Sequence, residues 1–264
     1  MGSKKIISIA NQKGGVGKTT TAINLGAALA VRGQRVLIID LDPQGNASTG
    51  LGISRDERRK TVYDLLLGQD SASSLARPTD VENLSIIPAN MDLSSADSEL
   101  MATARRVVHL RNALHHRESD FDFILIDCPP SLNLLTINAF VASDTVIVPL
   151  QAEFFALEGL SQLLLTVREV RETANADLRI EGIVLTMFDR RNNLCQQVEE
   201  DARSNLGDLV FETMIPRNVR LSEAPSYAMP VLNYDPTSRG ALAYKALASE
   251  VMSRNSASQV PENV

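Results

Sequence analysis

Asn11-Gln-Lys-Gly-Gly-Val-Gly-Lys-Thr-Thr20 decides how this chain is read, because a strand-like run, Ile6 to Ala10, leads straight into it and a helix-forming stretch leaves it at Thr19. Glycines let the backbone turn tightly and aim successive N–H groups at phosphate oxygens, while the following helix adds the positive end of its dipole. In that setting Lys18 is placed to reach the β and γ phosphates of a nucleotide, and Thr19 to ligate Mg²⁺ through its hydroxyl. Gly14, Gly15, Val16, Gly17, Lys18, Thr19 and Thr20 are therefore candidate contacts to MgATP. The spacing departs from G-x-x-x-x-G-K-[ST] at one point: Gln12 stands where the first glycine would be, and a second lysine, Lys13, follows it. A Gly-rich turn that binds nothing is the plainer reading, but it gives no reason for two lysines in so crowded a loop.

Working outward, Ile- and Val-rich runs at 4–10, 35–40, 84–88, 121–127, 145–150, 180–187 and 210–215 alternate with helical stretches at 19–31, 96–116, 131–141, 158–173, 196–206 and 240–254. Strands apolar on both faces, separated by helices, predict an α/β fold: a three-layer, doubly wound, mostly parallel sheet with helices on both faces, of the P-loop NTPase type. Ligands in such folds sit at the carboxyl ends of the strands, which directs attention to the loops after Ala10, Asp40 and Asp127. A single domain over 1–254 is expected. The stretch 255–264 is polar, contains Pro261 and lacks an apolar face, so it is expected to be frayed.

Composition narrows the classes. With 264 residues, 44% apolar and 22% charged, the chain can bury a sizeable core. Its longest apolar runs are strand-length, far short of the roughly 20 residues that span a bilayer, and no signal-peptide pattern opens it, so the expected location is cytoplasmic. Cys128 and Cys195 are too few and too far apart for a disulfide framework or a four-cysteine zinc site. A formal charge of −6 argues against a surface that coats nucleic acid, leaving any such contact to a few placed arginines and lysines. The basic stretch 105–117 holds all three histidines, His109, His115 and His116, without the i, i+4 spacing of helical metal sites, and reads as a solvated amphipathic helix.

Two carboxylates stand out. Asp127 ends an apolar strand, where it is poised to hold the hydration shell of Mg²⁺, and Asp42 follows the second strand two residues after Asp40. Turn or cap formation is the bland alternative for each, more natural for Asp40 than for Asp42 before Pro43. Pro216 and Asn218 follow a late strand run, and a plain strand-end turn explains them as well as a binding role does.

Lys13-Gly-Gly-Val-Gly-Lys-Thr-Thr20 resembles the deviant Walker A motif of the ParA and MinD superfamily. Asp40-Leu-Asp-Pro-Gln-Gly-Asn46 is similar to that family's switch I, and Phe123-Ile-Leu-Ile-Asp-Cys-Pro-Pro-Ser131 to its Walker B strand and switch II. Pro149 to Gly159 and Ile215 to Pro225 resemble the chromosomal ParA (Soj) branch, so the likeness covers nearly the whole chain. It implies a weak ATPase using ATP and Mg²⁺, with Asp42 positioning the attacking water and Asp127 as the Walker B acid. It also implies that Lys13 reaches the triphosphate of a second subunit in an ATP-bound homodimer, and that Pro216 and Asn218 hold adenine. Nonspecific double-stranded DNA, a ParB-like (Spo0J-like) partner and a place on the nucleoid come with it; among the scattered C-terminal cations, Arg191 and Arg220, then Arg217 and Lys245, are the expected DNA contacts.

Three rivals deserve weighing. A MinD-like membrane-cycling ATPase needs a C-terminal amphipathic helix, which Asn255 to Val264 cannot form, so no membrane partner is expected. An electron-transfer ATPase resembling the nitrogenase iron protein would need two cluster-binding cysteines, whereas Cys195 falls in a helix remote from Cys128. A regulatory scaffold with little hydrolysis sits poorly with intact Lys18 and Asp42.

Overall fold

Alternate residues of each central strand face opposite sides of the sheet, and in this chain both sets are apolar. The computed structural model describes residues 4–103, 105–114, 121–153 and 156–257. In chain order the elements are β1 (Lys5–Ile9), α1 (Lys18–Ala30), β2 (Val36–Asp40), α2 (Asn46–Gly50), α3 (Val62–Leu66), α4 (Ala72–Leu75), β3 (Arg77–Pro78), β4 (Leu84–Ile87), α5 (Leu93–Met101) and α6 (His109–Leu114). They continue with β5 (Phe123–Asp127), α7 (Leu134–Ala142), β6 (Thr145–Gln151), α8 (Ala156–Thr173), β7 (Arg179–Thr186), α9 (Asn193–Leu206), α10 (Val219–Glu223), α11 (Val231–Tyr234) and α12 (Arg239–Ala257). Ile6, Leu37, Ile39, Ile124 and Ile126 pack into one core layer. Ile7, Ile9, Ile38, Leu125 and Ile147 pack into the other, under α1 and α12. The expected three-layer arrangement follows directly from this doubled apolar pattern.

The sheet has seven strands in the order β3-β4-β2-β5-β1-β6-β7, all pairs parallel except β3 with β4. The chain passes from β1 to β2 on one side and from β5 to β6 across β1, so the crevice where the winding reverses lies at the end of β1, where the glycine loop begins. Register brings three strand ends level there: Ile9 pairs with Asp127, and Asp127 with Asp40.

Several expectations need correction. Residues 210–215 are extended but make only isolated bridges, Ile183 with Val210 and Phe188 with Pro216. The ladder is interrupted because the Glu250 carboxylate of α12 accepts the Glu212 and Thr213 amides, at 2.9 and 3.1 Å. The stretch 96–116 is not one helix: Thr103 donates its hydroxyl to the Leu100 carbonyl at 2.9 Å, α5 ends, and α6 starts afresh at His109. The His109 ring lies between the Thr103 hydroxyl and the Leu66 carbonyl, each at 3.1 Å; His115 and His116 lie outside the described residues. At the far end α12 runs to Ala257, beyond the expected 254, with Asn255 donating to the Val251 carbonyl at 2.8 Å. The rest of the polar stretch, 258–264, is outside the described residues. No described helix is long and apolar enough to cross a membrane.

Candidate nucleotide site

Gly15 and Gly17 adopt φ of 76° and 93°, which only glycine takes without strain, and they turn the chain from β1 into α1. Gly17 is the N-cap of α1 and carries no side-chain cap, so no side chain competes for the first amides of the helix. A Cβ added at Gly14 or Gly15 would meet nothing, leaving open space in front of the loop. The loop is braced from behind by Asn11, whose side chain donates to Pro149 O at 2.7 Å and accepts from Lys13 N at 3.0 Å. Thr186, at the end of β7, donates to the Val16 carbonyl at 2.8 Å. Neither Asn11 nor Thr186 was singled out from sequence; Thr186 had a signal, because it closes an expected strand on the ligand side of the sheet.

The two lysines diverge. Lys18 is 7% exposed and donates to the Lys13 carbonyl at 3.0 Å. Its ammonium is held below the ordinary lysine range by burial, which the nearby Asp127 and Asp42 only partly offset. Lys13 turns outward instead, its side chain 48% exposed and paired with Glu153 at 2.6 Å. Gln151 also donates to Glu153.

Asp127 is fully buried, and neither of its carboxylate oxygens has a hydrogen-bond partner. Burial pushes its carboxyl well above the usual carboxylate range; Asp40 and Asp42 add to that, while the Thr19 hydroxyl and Lys18 nearby pull the other way. A buried acceptor left unpaired costs free energy unless a ligand or cation completes it. Thr19, Asp127 and Asp42 thus form a hard-oxygen set of the kind Mg²⁺ takes. Asp42 accepts from Gln44 N at 2.9 Å and sits at the open edge of the cluster. Asp40 lies deeper: its Oδ2 accepts from both the amide and hydroxyl of Ser48, at 2.8 and 2.6 Å, so the turn-forming reading describes it.

Pro216 and Asn218 line a cleft of about 520 Å³ together with Gly17, Thr20, Thr186 and Met187. The structure therefore brings them against the phosphate loop, although Asn218 also caps α10 by accepting from Arg220 N at 2.9 Å.

Of the four cations expected at DNA, two line the same cleft. Arg191 and Arg217 line a cleft of about 850 Å³ with Arg190 and Arg239, two further C-terminal arginines. Arg191 is held by Asp189 through two bonds, at 3.1 and 2.9 Å. Arg220 lies outside that lining and is paired with Glu223 at 2.8 Å and Asp235 at 3.3 Å. Lys245 is on α12 but on a different face from Arg239, Ala243 and Ala246; its carbonyl accepts from Arg32 of the α1 side. Cys128 and Cys195 are both buried, donating weakly to the Ile126 and Ala152 carbonyls, so neither offers a surface thiol for a shared cluster.

A parallel sheet with a glycine loop at its switch point, an inward lysine and an acid ending the adjacent strand define a P-loop nucleotide-binding protein. A family model described as an AAA domain matches residues 4–180. The chromosome partitioning protein ParA of Caulobacter vibrioides (strain NA1000 / CB15N) is 57% identical over 252 residues, 95% of this chain and 94% of that protein. The sporulation initiation inhibitor protein Soj of Bacillus subtilis (strain 168) is 56% identical over 247 residues, 94% of this chain and 98% of that one. Among solved structures, cobyrinic acid a,c-diamide synthase from Mycobacterium smegmatis with bound ATP analog and magnesium matches with a TM-score of 0.85 at 37% identity, over 97% of this chain and 98% of that one. The chain belongs to the ParA/Soj family of chromosome-partitioning P-loop ATPases.

Proposed function

We propose that this protein is a single-domain DNA-segregation ATPase: with MgATP it pairs as a sandwich homodimer that binds duplex DNA without reading sequence, and hydrolysis, stimulated by a ParB-like partner, releases it on the nucleoid. The observation that carries this reading is the divergence of the two loop lysines. Lys18 serves its own site, whereas Lys13 faces outward, where a second subunit's triphosphate would find it.

The chain's own groups supply the chemistry by position and charge, which is what phosphoryl transfer chiefly requires. Backbone N–H groups from Gly14 to Thr20 cradle the phosphates, and Lys18 supplies a partly desolvated cation beside them. Pro216 and Asn218 hold the adenine. Thr19 directly, and Asp42 and Asp127 through water, would hold Mg²⁺, which when bound neutralises phosphate charge. Asp42 orients the water. Lys13 must leave Glu153 to act in the partner's site; an exposed pair of this kind is worth about 0–1 kcal/mol, so the exchange is cheap.

For DNA, Arg217 with Arg190, Arg191 and Arg239 offers a cationic cleft suited to phosphates. Arg191 and Arg220 contribute by trading their carboxylate partners for phosphate, and Lys245 acts from the neighbouring face of α12. Fold alone does not choose among activities, as the synthase of the same architecture illustrates; identity above one half over nearly the full length favours partition.

The test is duplex DNA binding with ADP, ATP and a poorly hydrolysed analogue at two salt concentrations. Binding confined to the triphosphate states and weakened by salt is expected. Protein that binds ATP and dimerises yet ignores DNA in every state would turn the reading toward a membrane-cycling or scaffold role.

A further inference from the structure

Arg58 is 5% exposed, an unusual position for a guanidinium. It touches no carboxylate. Its five hydrogen bonds reach four residues, three through a backbone carbonyl and one through a side-chain hydroxyl: Nε and one terminal nitrogen to Ile53 O at 3.2 and 2.7 Å, the same nitrogen to the Thr49 hydroxyl at 2.7 Å, and the other to Gly45 O at 3.2 Å and Ala89 O at 3.3 Å. Its own carbonyl accepts from the Asn90 side chain at 3.3 Å.

Those residues enclose the turn that carries Asp42. The Gly45 amide donates to Asp42 O at 2.9 Å, closing the turn, and the Gly45 carbonyl in turn accepts from the Thr49 amide and hydroxyl, each at 3.0 Å. Ala89, beyond β4, donates its amide to the Ser48 hydroxyl at 3.0 Å, and Ser48 binds Asp40. Gly45 has φ 64°, and a Cβ there would lie 2.2 Å from an Arg58 terminal nitrogen, so the turn and the guanidinium are fitted to one another. Burial lowers the arginine's affinity for its proton, and the charge of Asp40 works in the opposite direction.

We propose that Arg58 is a positioning residue for the hydrolytic step: its planar fork locks the turn from Asp42 to Gly45 onto α2 and the end of β4, fixing where the Asp42 carboxylate stands over the phosphate loop. The inference rests on the ATPase reading above. A lysine cannot replace the fork, because its donors radiate from one nitrogen and cannot bridge acceptors on both sides.

Arg58→Lys, Arg58→Met, Thr49→Val and, as a control, the exposed neighbour Arg59→Met test it, each measured for thermal midpoint, affinity for a fluorescent ATP analogue, and turnover at saturating MgATP with DNA present. Turnover should fall about tenfold or more in both Arg58 variants and about threefold in Thr49→Val, with affinity within about threefold of wild type and Arg59→Met unchanged. Wild-type turnover in folded Arg58→Lys would overturn the proposal. So would a fall in affinity that matches the fall in turnover. If neither Arg58 variant folds, Thr49→Val decides, and unchanged turnover there counts against the idea. Absence of turnover in the wild-type protein that still binds the analogue would remove the ATPase reading itself, and the proposal with it.

Discussion

Asp40→Asn offers a sharp check on the electrostatics of the acid cluster. Asp40 is fully buried at the end of β2 and its pKa is pushed from 3.8 up to about 6, because burial, aided by the charge of Asp42, outweighs the bonds it accepts from Ser48 and Asp42. The folded protein therefore holds this proton more tightly than the unfolded chain does. Stability from the protonated form is complete below pH 3.8 and is lost as pH rises through about 6. A shift of about two units corresponds to roughly 3 kcal/mol. Asparagine keeps an acceptor for Ser48 and does not ionise, and it also removes the charge that helps raise Asp127. Relative to wild type, then, Asp40→Asn should gain stability between pH 4 and pH 8, by up to about 3 kcal/mol. Urea unfolding of both proteins across that range, without nucleotide or Mg²⁺, measures the difference directly. A stability difference that is flat with pH, or that moves against the variant as pH rises, would refute the reasoning.

Gly17→Ala should cost about 1–2 kcal/mol in chemical denaturation, because the left-handed backbone alone is strained; the nearest atom to the new Cβ, on Thr186, is 3.8 Å away. Gly182→Ala should cost about 1–3 kcal/mol by overpacking, since its Cβ would meet the Phe211 ring at 2.5 Å, and near-ultraviolet spectra should report the displaced ring. Glu153→Gln should change unfolding free energy by less than about 1 kcal/mol, whereas Lys13→Ala should leave ATP binding by the monomer intact and abolish ATP-dependent dimers in light scattering. Arg217→Glu should weaken DNA binding and lower the slope of affinity against salt, with ATP-dependent dimerisation preserved.

The phosphate loop was legible because its chemistry is contiguous: strand, glycines, lysine and helix follow one another from Lys5 to Ala30. Strands apolar on both faces told the layers equally well. Partners distant in sequence defeated the reading elsewhere. Residues 210–215 have a strand's composition, and Glu250, from the far end of the chain, takes two of their amides out of a regular ladder. Arginines could be counted but not placed, since Arg220 is engaged by Glu223 and Asp235, and Arg190 and Arg239 join Arg217 only through folding. Arg58 carried no sequence signal, because its acceptors are mostly carbonyls, which every residue possesses.

The interrupted ladder beside β7 has a consequence for the protein at high concentration. An open sheet ends in strands whose free backbone groups invite another chain to add on. Here the Phe211 and Ile215 amides occupy the outer carbonyls of Ile183 and Leu185, while Glu250 takes the next two amides of the covering segment. At the opposite border β3 is two residues long and contains Pro78, which has no amide to donate. Both borders are thus poor templates for further strands, so copies of this chain can meet repeatedly, as the proposed dimer cycle requires, with little risk of sheet-to-sheet polymerisation.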